Sequence, residues 1–313
     1  VAEAAGVSPS TVSRALRVPG RLNATTEARI RKVAEELGYQ LNPMAQALQT
    51  GRSSTIALIV SDLGNPVYFD IVRGAQREAR LHGYTVIFAE SEESGAHEAE
   101  AAARLIPSVD ALVLVASRLT NRQIAELAKR KRVVLINRRV PDVAAAVPDL
   151  QRGVEEALSA LKALGHQSLV YLSGPSRSWM SRERRRVITT ASQQLGLVVE
   201  VLGPFPPTLA GGHQAARAIP GEATAVIAFN DLMAIGVIRR LQALGVAVPE
   251  QLSIVGFDDI FGADLIAPAL ATVRTPLDML GARAIRMALD AAAAEERPAS
   301  ATFIQRDSIG PAA

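Results

Sequence analysis

Residues 6–16 read GVSPSTVSRAL, and this run decides how the start of the chain folds. Gly6 supplies a tight turn. Ser8 is placed to cap a helix, and Pro9 suits the first helical position, where a missing N–H leaves nothing unpaired. Val12, Ala15 and Leu16 fall on one apolar face at helical spacing, leaving Ser10, Thr11, Ser13 and Arg14 on the others. A short helix, a glycine turn and a second short helix showing small hydroxyls and an arginine is how a helix-turn-helix reads DNA. The same run also makes a plain helical hairpin.

Working outward, Asn23 caps a further helix whose apolar residues Ile30, Val33, Ala34 and Leu37 follow at i, i+3, i+4 and i+7, and Gly38 stops it. Residues 1–41 thus form an all-α head of three short helices around one core. The chain does not open with Met and begins inside what should be the first helix, so a few residues are expected ahead of Val1. Residues 42–53 run through Asn42, Ala45 and Leu48 to Gly51 and Arg52. They read as a weak short helix between domains, too short to stand alone, or as a plain linker.

The 313 residues allow a small module plus a larger domain, residues 54–313. At 49% hydrophobic and 21% charged residues the composition is that of an ordinary soluble protein. Absent cysteine excludes disulfides, thiolate chemistry and cysteine-ligated metal. No apolar run approaches the ~20 residues that span a bilayer, and no signal peptide opens the chain, so a cytoplasmic protein without membrane contact is expected. The net charge of +3 is unevenly placed. Residues 1–53 hold seven Lys or Arg against four Glu, and the remainder balances to zero. The excess on the head suits an approach to phosphates, with a solvated basic surface as the alternative.

From Thr55 strands and helices alternate. Strands are expected at 55–60, 84–89, 111–116, 133–136, 168–172, 198–202, 225–228 and 252–257. Helices are expected at 68–81, 98–105, 121–131, 151–165, 183–195 and 231–244. Such alternation builds parallel sheets with right-handed crossovers, and two blocks of it imply two α/β lobes. Ligands of open α/β sheets bind beyond the C-terminal strand ends. That rule selects Ser61, Asp62, Asn137, Arg138, Ser173, Gly174, Asn230, Asp231, Asp258 and Asp259, several of which could instead cap helices.

Three segments, VAEAAGVSPSTVSRAL (1–16), EELGYQLNPMAQAL (35–48) and PLDMLGARAIRMAL (276–289), resemble the LacI/GalR family of bacterial transcription regulators. The resemblance runs over essentially the whole chain. It implies a helix-turn-helix head joined by a hinge helix to a periplasmic-binding-protein-like domain of two lobes, with the segment from Pro276 crossing back. By the same resemblance Pro9, Ser10 and Arg14 face base edges, Thr11 and Ser13 contact phosphates, and Leu48 wedges into the minor groove. Ser8, Asn42 and Ala45 complete the DNA-binding candidates. An Arg can pair with guanine O6 and N7, and an inserted Leu kinks DNA. Pro9 offers only van der Waals contact, which shifts direct readout to Ser10 and Arg14.

For the effector, the resemblance implies Tyr68 and Phe69 as an aromatic floor, Arg184 as a clamp on polar groups and Asp258 as an acceptor for hydroxyls. Asn137 and Asn230 join them from the strand ends. Aromatic faces with Asp, Asn and Arg around them suit a sugar or sugar derivative. Two departures stand out. Asn137 occupies a position where many relatives carry Asp, and residues 182–187 read RERRRV, with Val187 in place of the usual Gly. Arg182, Arg184 or Arg185 could be the inward one, and the excess of Arg fits either an anionic ligand or surface charge. Trp179 could belong to the core or form a stacking wall.

The expected protein is a homodimeric, ligand-responsive regulator, a repressor, on a pseudo-palindromic double-stranded operator. No cofactor or metal is called for. A sugar-binding protein serving a transporter would carry a secretion signal and no DNA-reading head. An enzyme would need a catalytic motif, and the Gly-x-Ser-x-Gly, His-Glu-x-x-His, Walker and Gly-x-Gly-x-x-Gly patterns are all missing. The four histidines, at 82, 97, 166 and 213, are scattered.

Overall fold

The computed structural model describes residues 1–17, 20–39 and 51–313. They divide into two compact units, Val1–Ser54 and Thr55–Ala313. Asn42, Ala45, Leu48 and most of the expected hinge lie outside the described residues.

In the first unit α1 spans Pro9–Arg17 and α2 spans Ala24–Glu36. Asn23 caps α2 by accepting from the Thr25 N–H at 2.9 Å, and Gly38 follows at φ 60°. Ala5, Val12, Ala15 and Ile30 form the core of the unit. The helix expected before Gly6 is a turn instead, closed by the Ala5 N–H on the Val1 carbonyl at 2.8 Å. Gly6, at φ 62°, ends it there in the left-handed region that suits glycine.

The second unit holds two sheets. The first, in order β2-β1-β3-β4-β5, is all parallel and comprises β1 (Thr55–Val60), β2 (Thr85–Glu90), β3 (Ala111–Val115), β4 (Arg132–Ile136) and β5 (Ala144–Ala146). Between these strands run α3 (Val67–Leu81), α4 (Gly95–Leu105) and α5 (Asn121–Arg130). The central strands β1 and β3 read TIALIV and ALVLV, almost wholly buried because helices cover both faces.

The second sheet runs β11-β10-β9-β8-β6-β7, parallel except for β11. Its strands are β6 (Ser168–Leu172), β7 (Val198–Leu202), β8 (Ala225–Ala228), β9 (Ser253–Asp258), β10 (Ala271–Arg274) and β11 (Thr302–Ile304). Helices α6 (Gln151–Ala163), α7 (Trp179–Leu195), α8 (Leu209–Ala215) and α9 (Asp231–Ala243) serve this lobe. The segment after Pro276 crosses back as expected, since α10 (Leu277–Leu289) packs on α3 and β4 of the first lobe. Gly74 and Gly281 make that crossing close. A Cβ on Gly74 would lie 1.9 Å from the Asp278 carbonyl oxygen, and one on Gly281 2.0 Å from that of Ile71. The chain therefore passes between lobes after β5, after β10 and again before β11. The first and third passages bond each other, Asp149 N–H to the Ala299 carbonyl at 3.0 Å and Ala301 N–H to the Asp149 carbonyl at 2.7 Å.

Helix α7 begins one turn earlier than the sequence suggests. Ser178 caps it, accepting from the Ser181 N–H at 3.3 Å, so Trp179 is its first residue and packs against the core. Strands β5, β10 and β11 and helix α8 were not foreseen, and the terminal strands and helices otherwise shift by a few residues.

Candidate functional site

The C-terminal ends of the strands in the second lobe gather one tight cluster. Arg184 is 3% exposed although it sits in an arginine-rich run. The buried residues of α7 recur at 180, 181, 184, 187, 188 and 191, and only Arg184 of the arginines shares that face. Val187 occupies the same face, filling the place that a glycine would leave open. One guanidinium nitrogen of Arg184 donates to Asp258 Oδ1 and another to the Phe229 carbonyl. Its planar group lies between two rings, 4.8 Å from the centroid of Phe229 and 4.4 Å from that of Phe257. Arginine suits this place because its flat, weakly hydrated cation stacks on aromatic faces. The Nε of Arg184 has no hydrogen-bond partner among the described residues.

Asp258 ends β9 with φ 106°, outside the region most side-chain-bearing residues adopt, and is 5% exposed. Its Oδ1 also accepts from the Thr275 hydroxyl at 3.2 Å. Thr275 sits on the second passage between lobes, so this hydrogen bond ties Asp258 to that passage. Asp231, fully buried beneath, accepts from the Ile260 N–H at 2.8 Å and bonds the Thr272 hydroxyl at 2.6 Å. Burial above all, then the charge of Asp258, pushes its carboxyl up to about 8, against the pull of its two hydrogen bonds. Asp259 is paired with Arg274 at 2.6 Å and Arg306 at 2.7 Å.

Asn230 is also buried, but both ends of its amide are in use. Its Oδ1 caps α9 through the Met233 N–H at 3.0 Å, and its Nδ2 donates to the Pro207 carbonyl at 3.0 Å. Its structural role is thus a helix cap.

The first lobe offers a looser set. Tyr68 is 6% exposed and its hydroxyl bonds the Ser61 hydroxyl; burial raises its phenol well above the ordinary value. Phe69, one residue on, is 44% exposed. Asn137, at φ 57°, has a buried Oδ1 without a hydrogen bond. Arg138 is held in its own lobe by the Ser117 carbonyl at 2.6 Å and Asn121 Oδ1 at 2.8 Å. Asp62 closes a turn onto the Gly64 N–H at 2.8 Å. No hydrogen bond or ion pair among the described residues joins Tyr68, Phe69 or Asn137 to the Arg184–Asp258 cluster.

Walls from both lobes enclose a cavity of about 430 Å³ beside Asp258, with Asp70 and Arg73 of α3 opposite Arg274. Sequence reasoning named the strands that end in Phe229 and Phe257 but missed their rings as partners of Arg184. It also missed Thr275. Among the described residues no cluster of His, Asp and Glu could hold a metal, and no helix is long and apolar enough to cross a membrane. His166 is structural, bridging Thr224, Ser253 and the Gly310 carbonyl at 2.9–3.1 Å.

On the head, α1 opens with a chain of hydroxyls. Ser8 Oγ lies 2.9 Å from Ser10 Oγ and 2.8 Å from Thr11 Oγ1. Pro9, Ser10 and Arg14 are exposed, Thr11 and Ser13 half-buried, and Arg14 has no partner among the described residues.

Comparison with known proteins agrees with this architecture. Residues 1–42 match the profile of bacterial regulatory proteins of the lacI family, and residues 158–309 that of a periplasmic binding protein-like domain. The HTH-type transcriptional repressor CytR of Escherichia coli K12 is 30% identical over 301 residues, spanning 93% of this chain and 88% of that protein. A Lac repressor dimer bound to operator and an anti-inducer superposes with a TM-score of 0.86 at 22% identity, over 98% of this chain and 97% of the other. A LacI family transcriptional regulator from Enterococcus faecium with bound ribose does so with a TM-score of 0.69 at 27% identity, over 83% and 100%. These matches place the chain among transcriptional regulators rather than enzymes: it belongs to the LacI family of bacterial transcriptional regulators.

Proposed function

We propose that the chain is a homodimeric repressor that reads a pseudo-palindromic operator through α1 of each head and answers to a sugar or sugar derivative bound between the lobes. The observation that carries the DNA-binding half is Arg14, exposed on α1 with no partner among the described residues, beside the Ser8–Ser10–Thr11 hydroxyls. Arg14 and Ser10 read bases, Pro9 packs against one, Ser8, Thr11 and Ser13 hold phosphates, and Asn42, Ala45 and Leu48 act at the hinge. Support for repression comes from the name of the CytR relative, and support for a dimer from the Lac repressor assembly.

The effector half rests on the Arg184–Asp258 cluster, with Tyr68, Phe69, Asn137 and Asn230 as the remaining candidates. Its carboxylate and guanidinium offer both acceptors and donors to hydroxyls, and Phe69 offers a ring face. A relative with bound ribose supports a carbohydrate. Ligand closure of the lobes would act on the DNA-binding unit with a coupling of typically ~1–3 kcal/mol.

The test is selection of binding sites from random duplex DNA by the full chain. A consensus with two-fold symmetry is expected. Arg14→Ala should flatten the preference at one base pair in each half-site, weakening binding by about 1–3 kcal/mol per contact. An asymmetric consensus would refute the dimeric reading, and an unchanged preference would remove Arg14 from base readout.

A further inference from the structure

The three passages between the lobes are not held alike. The first and third are pinned to each other by the backbone bonds of Asp149 with Ala299 and Ala301. The Ser300 hydroxyl adds a bond to Asp149 Oδ2 at 3.3 Å. The second passage, Thr275 and Pro276, is tied to Asp258 instead. Both of its ends are fixed. Upstream, β10 belongs to the second lobe. Thr272 bonds Asp231 at 2.6 Å, Arg274 bonds Asp259 at 2.6 Å, and the ladder with β9 ends at the Arg274–Asp258 pair. Downstream, α10 packs as part of the first lobe. Its approach to α3 is too close for a Cβ at Gly74 or Gly281, and Arg77 holds Asp278 at 3.2 Å. Turning between the two bodies along this route therefore falls on two residues. Pro276 has little freedom, because its ring fixes φ, here −76°, and keeps the residue before it extended. A joint this short and stiff passes a displacement on rather than absorbing it.

Asp258 divides its two oxygens. Oδ1 accepts from Arg184 and from the buried Thr275 hydroxyl. Oδ2 has no hydrogen bond among the described residues and keeps some surface. Asp258 and Thr275 both line the cavity of about 430 Å³, as do Asp70 and Arg73 of α3 and Leu277 and Asp278 of α10. The ligand acid, the joint and the helix that follows it thus border one space. Past the end of the β9–β10 ladder, the Thr275 hydroxyl is the tie that remains between that acid and the joint.

We infer that Thr275 is the positioning residue through which the cleft sets the angle between the lobes. Its hydroxyl holds the joint to Asp258 Oδ1. A group that bonds Oδ2 moves the carboxylate, and with it Thr275, Pro276 and the start of α10. The inference rests on the proposed function for the source of that group, a ligand hydroxyl, and not for the tie itself. Asp258 and Arg184 decide whether ligand binds. Thr275 decides how much of that binding reaches the first lobe.

The tie is tested first without ligand. The chain has no cysteine, so Arg122→Cys on α5 and Glu200→Cys on β7, both at exposed positions, place one spin label on each lobe. Pulsed electron paramagnetic resonance then gives the spread of label distances in the full chain, diluted with unlabelled copies. Thr275→Val keeps the shape and loses the hydroxyl, and should shift or broaden that spread. Thr275→Ala should do the same, and Thr275→Ser, which keeps the hydroxyl, should match the wild type. A Val variant that matches the wild type, or a Ser variant that departs along with Ala, means that packing sets the angle and overturns the inference. Ribose, the sugar bound in the relative above, is the ligand probe, read by melting and by affinity for the selected operator. In the wild type it should raise the melting temperature and change operator affinity about fivefold or more. Thr275→Val should keep the melting response while the change in operator affinity falls to about twofold or less. Loss of both responses together would make Thr275 a ligand contact or a fold residue, and overturns its positioning role. A melting response that Asp258→Asn leaves intact refutes the effector reading at Asp258, and the label distances still decide the tie on their own.

Discussion

The two lobes bring different kinds of side chain to their shared cleft. The second lobe presents a finished piece: Arg184 is stacked between Phe229 and Phe257, bonded to Asp258, and Asp258 is tied to Thr275. The first lobe presents an exposed ring at Phe69 and an amide at Asn137 whose oxygen is unbonded. One half is preorganised and the other is open to rearrangement. Preorganised groups bind without further ordering, which favours affinity, whereas loose groups gain order only when ligand arrives. Under the proposed function, the second lobe captures ligand and the first responds to it.

Breaking the preformed half should have the largest effect. Asp258→Ala leaves the Arg184 guanidinium buried without its acid and should destabilise the protein by about 3–5 kcal/mol, seen by urea unfolding. A loss below ~1 kcal/mol would mean that water reaches Arg184 and that the lobe is not preorganised. Asn230→Ala removes a helix cap and should cost about 1 kcal/mol. If it abolished ligand response with full stability, Asn230 would belong to the ligand and not to the helix.

Asp231→Asn sharpens the same comparison through pH. The folded-state carboxyl is raised from 3.8 to about 8, so between those values the native chain holds a proton that the unfolded chain has lost. Stability from this group is complete below pH 4 and falls as pH rises toward 8. Asn can keep both hydrogen bonds and does not titrate. The variant should therefore gain on the wild type steadily from pH 5 to pH 8.5 in melting temperature. Parallel pH curves would show that Asp231 is ionised in the fold. The smallest effect on stability belongs to the open half. Phe69→Ala should stay within about 0.5 kcal/mol of wild type while weakening the ligand response. A large loss of stability would place Phe69 in the packing of the lobe.

Much of this was legible in the sequence, for reasons that differ by element. Strands β1 and β6 are continuous apolar runs, and the Asn23 and Gly38 boundaries of α2 are signalled locally, so each was placed correctly. The start of α7 was read four residues late because its arginines hide the helical period that Met180, Arg184 and Ile188 in fact follow. Helix α8 was invisible because Gly211 and Gly212 argue against a helix on their own. Their value is tertiary, since a Cβ on Gly212 would lie 2.2 Å from the Met233 carbonyl oxygen of α9. Strands β5 and β11 are three residues long, below the reach of any alternation pattern. In the site, Arg184 and Asp258 were both named, and the structure pairs them. The phenylalanine stacking and the neutralising burial of Asp231 depend on contacts between distant segments, which spacing does not encode.

The return of α10 to α3 has a consequence for how the protein is made. The Arg77–Asp278 pair at that crossing joins residues 201 positions apart. On a ribosome adding roughly 5–20 residues per second, α3 and its sheet would wait on the order of ten seconds or more for their covering helix. Until then the apolar surface around Ile71 and Ala75 is uncovered, and the lobe translated first waits for a helix made after most of the second lobe. A nascent chain stalled after β10 would carry two unfinished lobes rather than one finished and one missing, which makes this stretch of synthesis the point at which chaperone protection matters most.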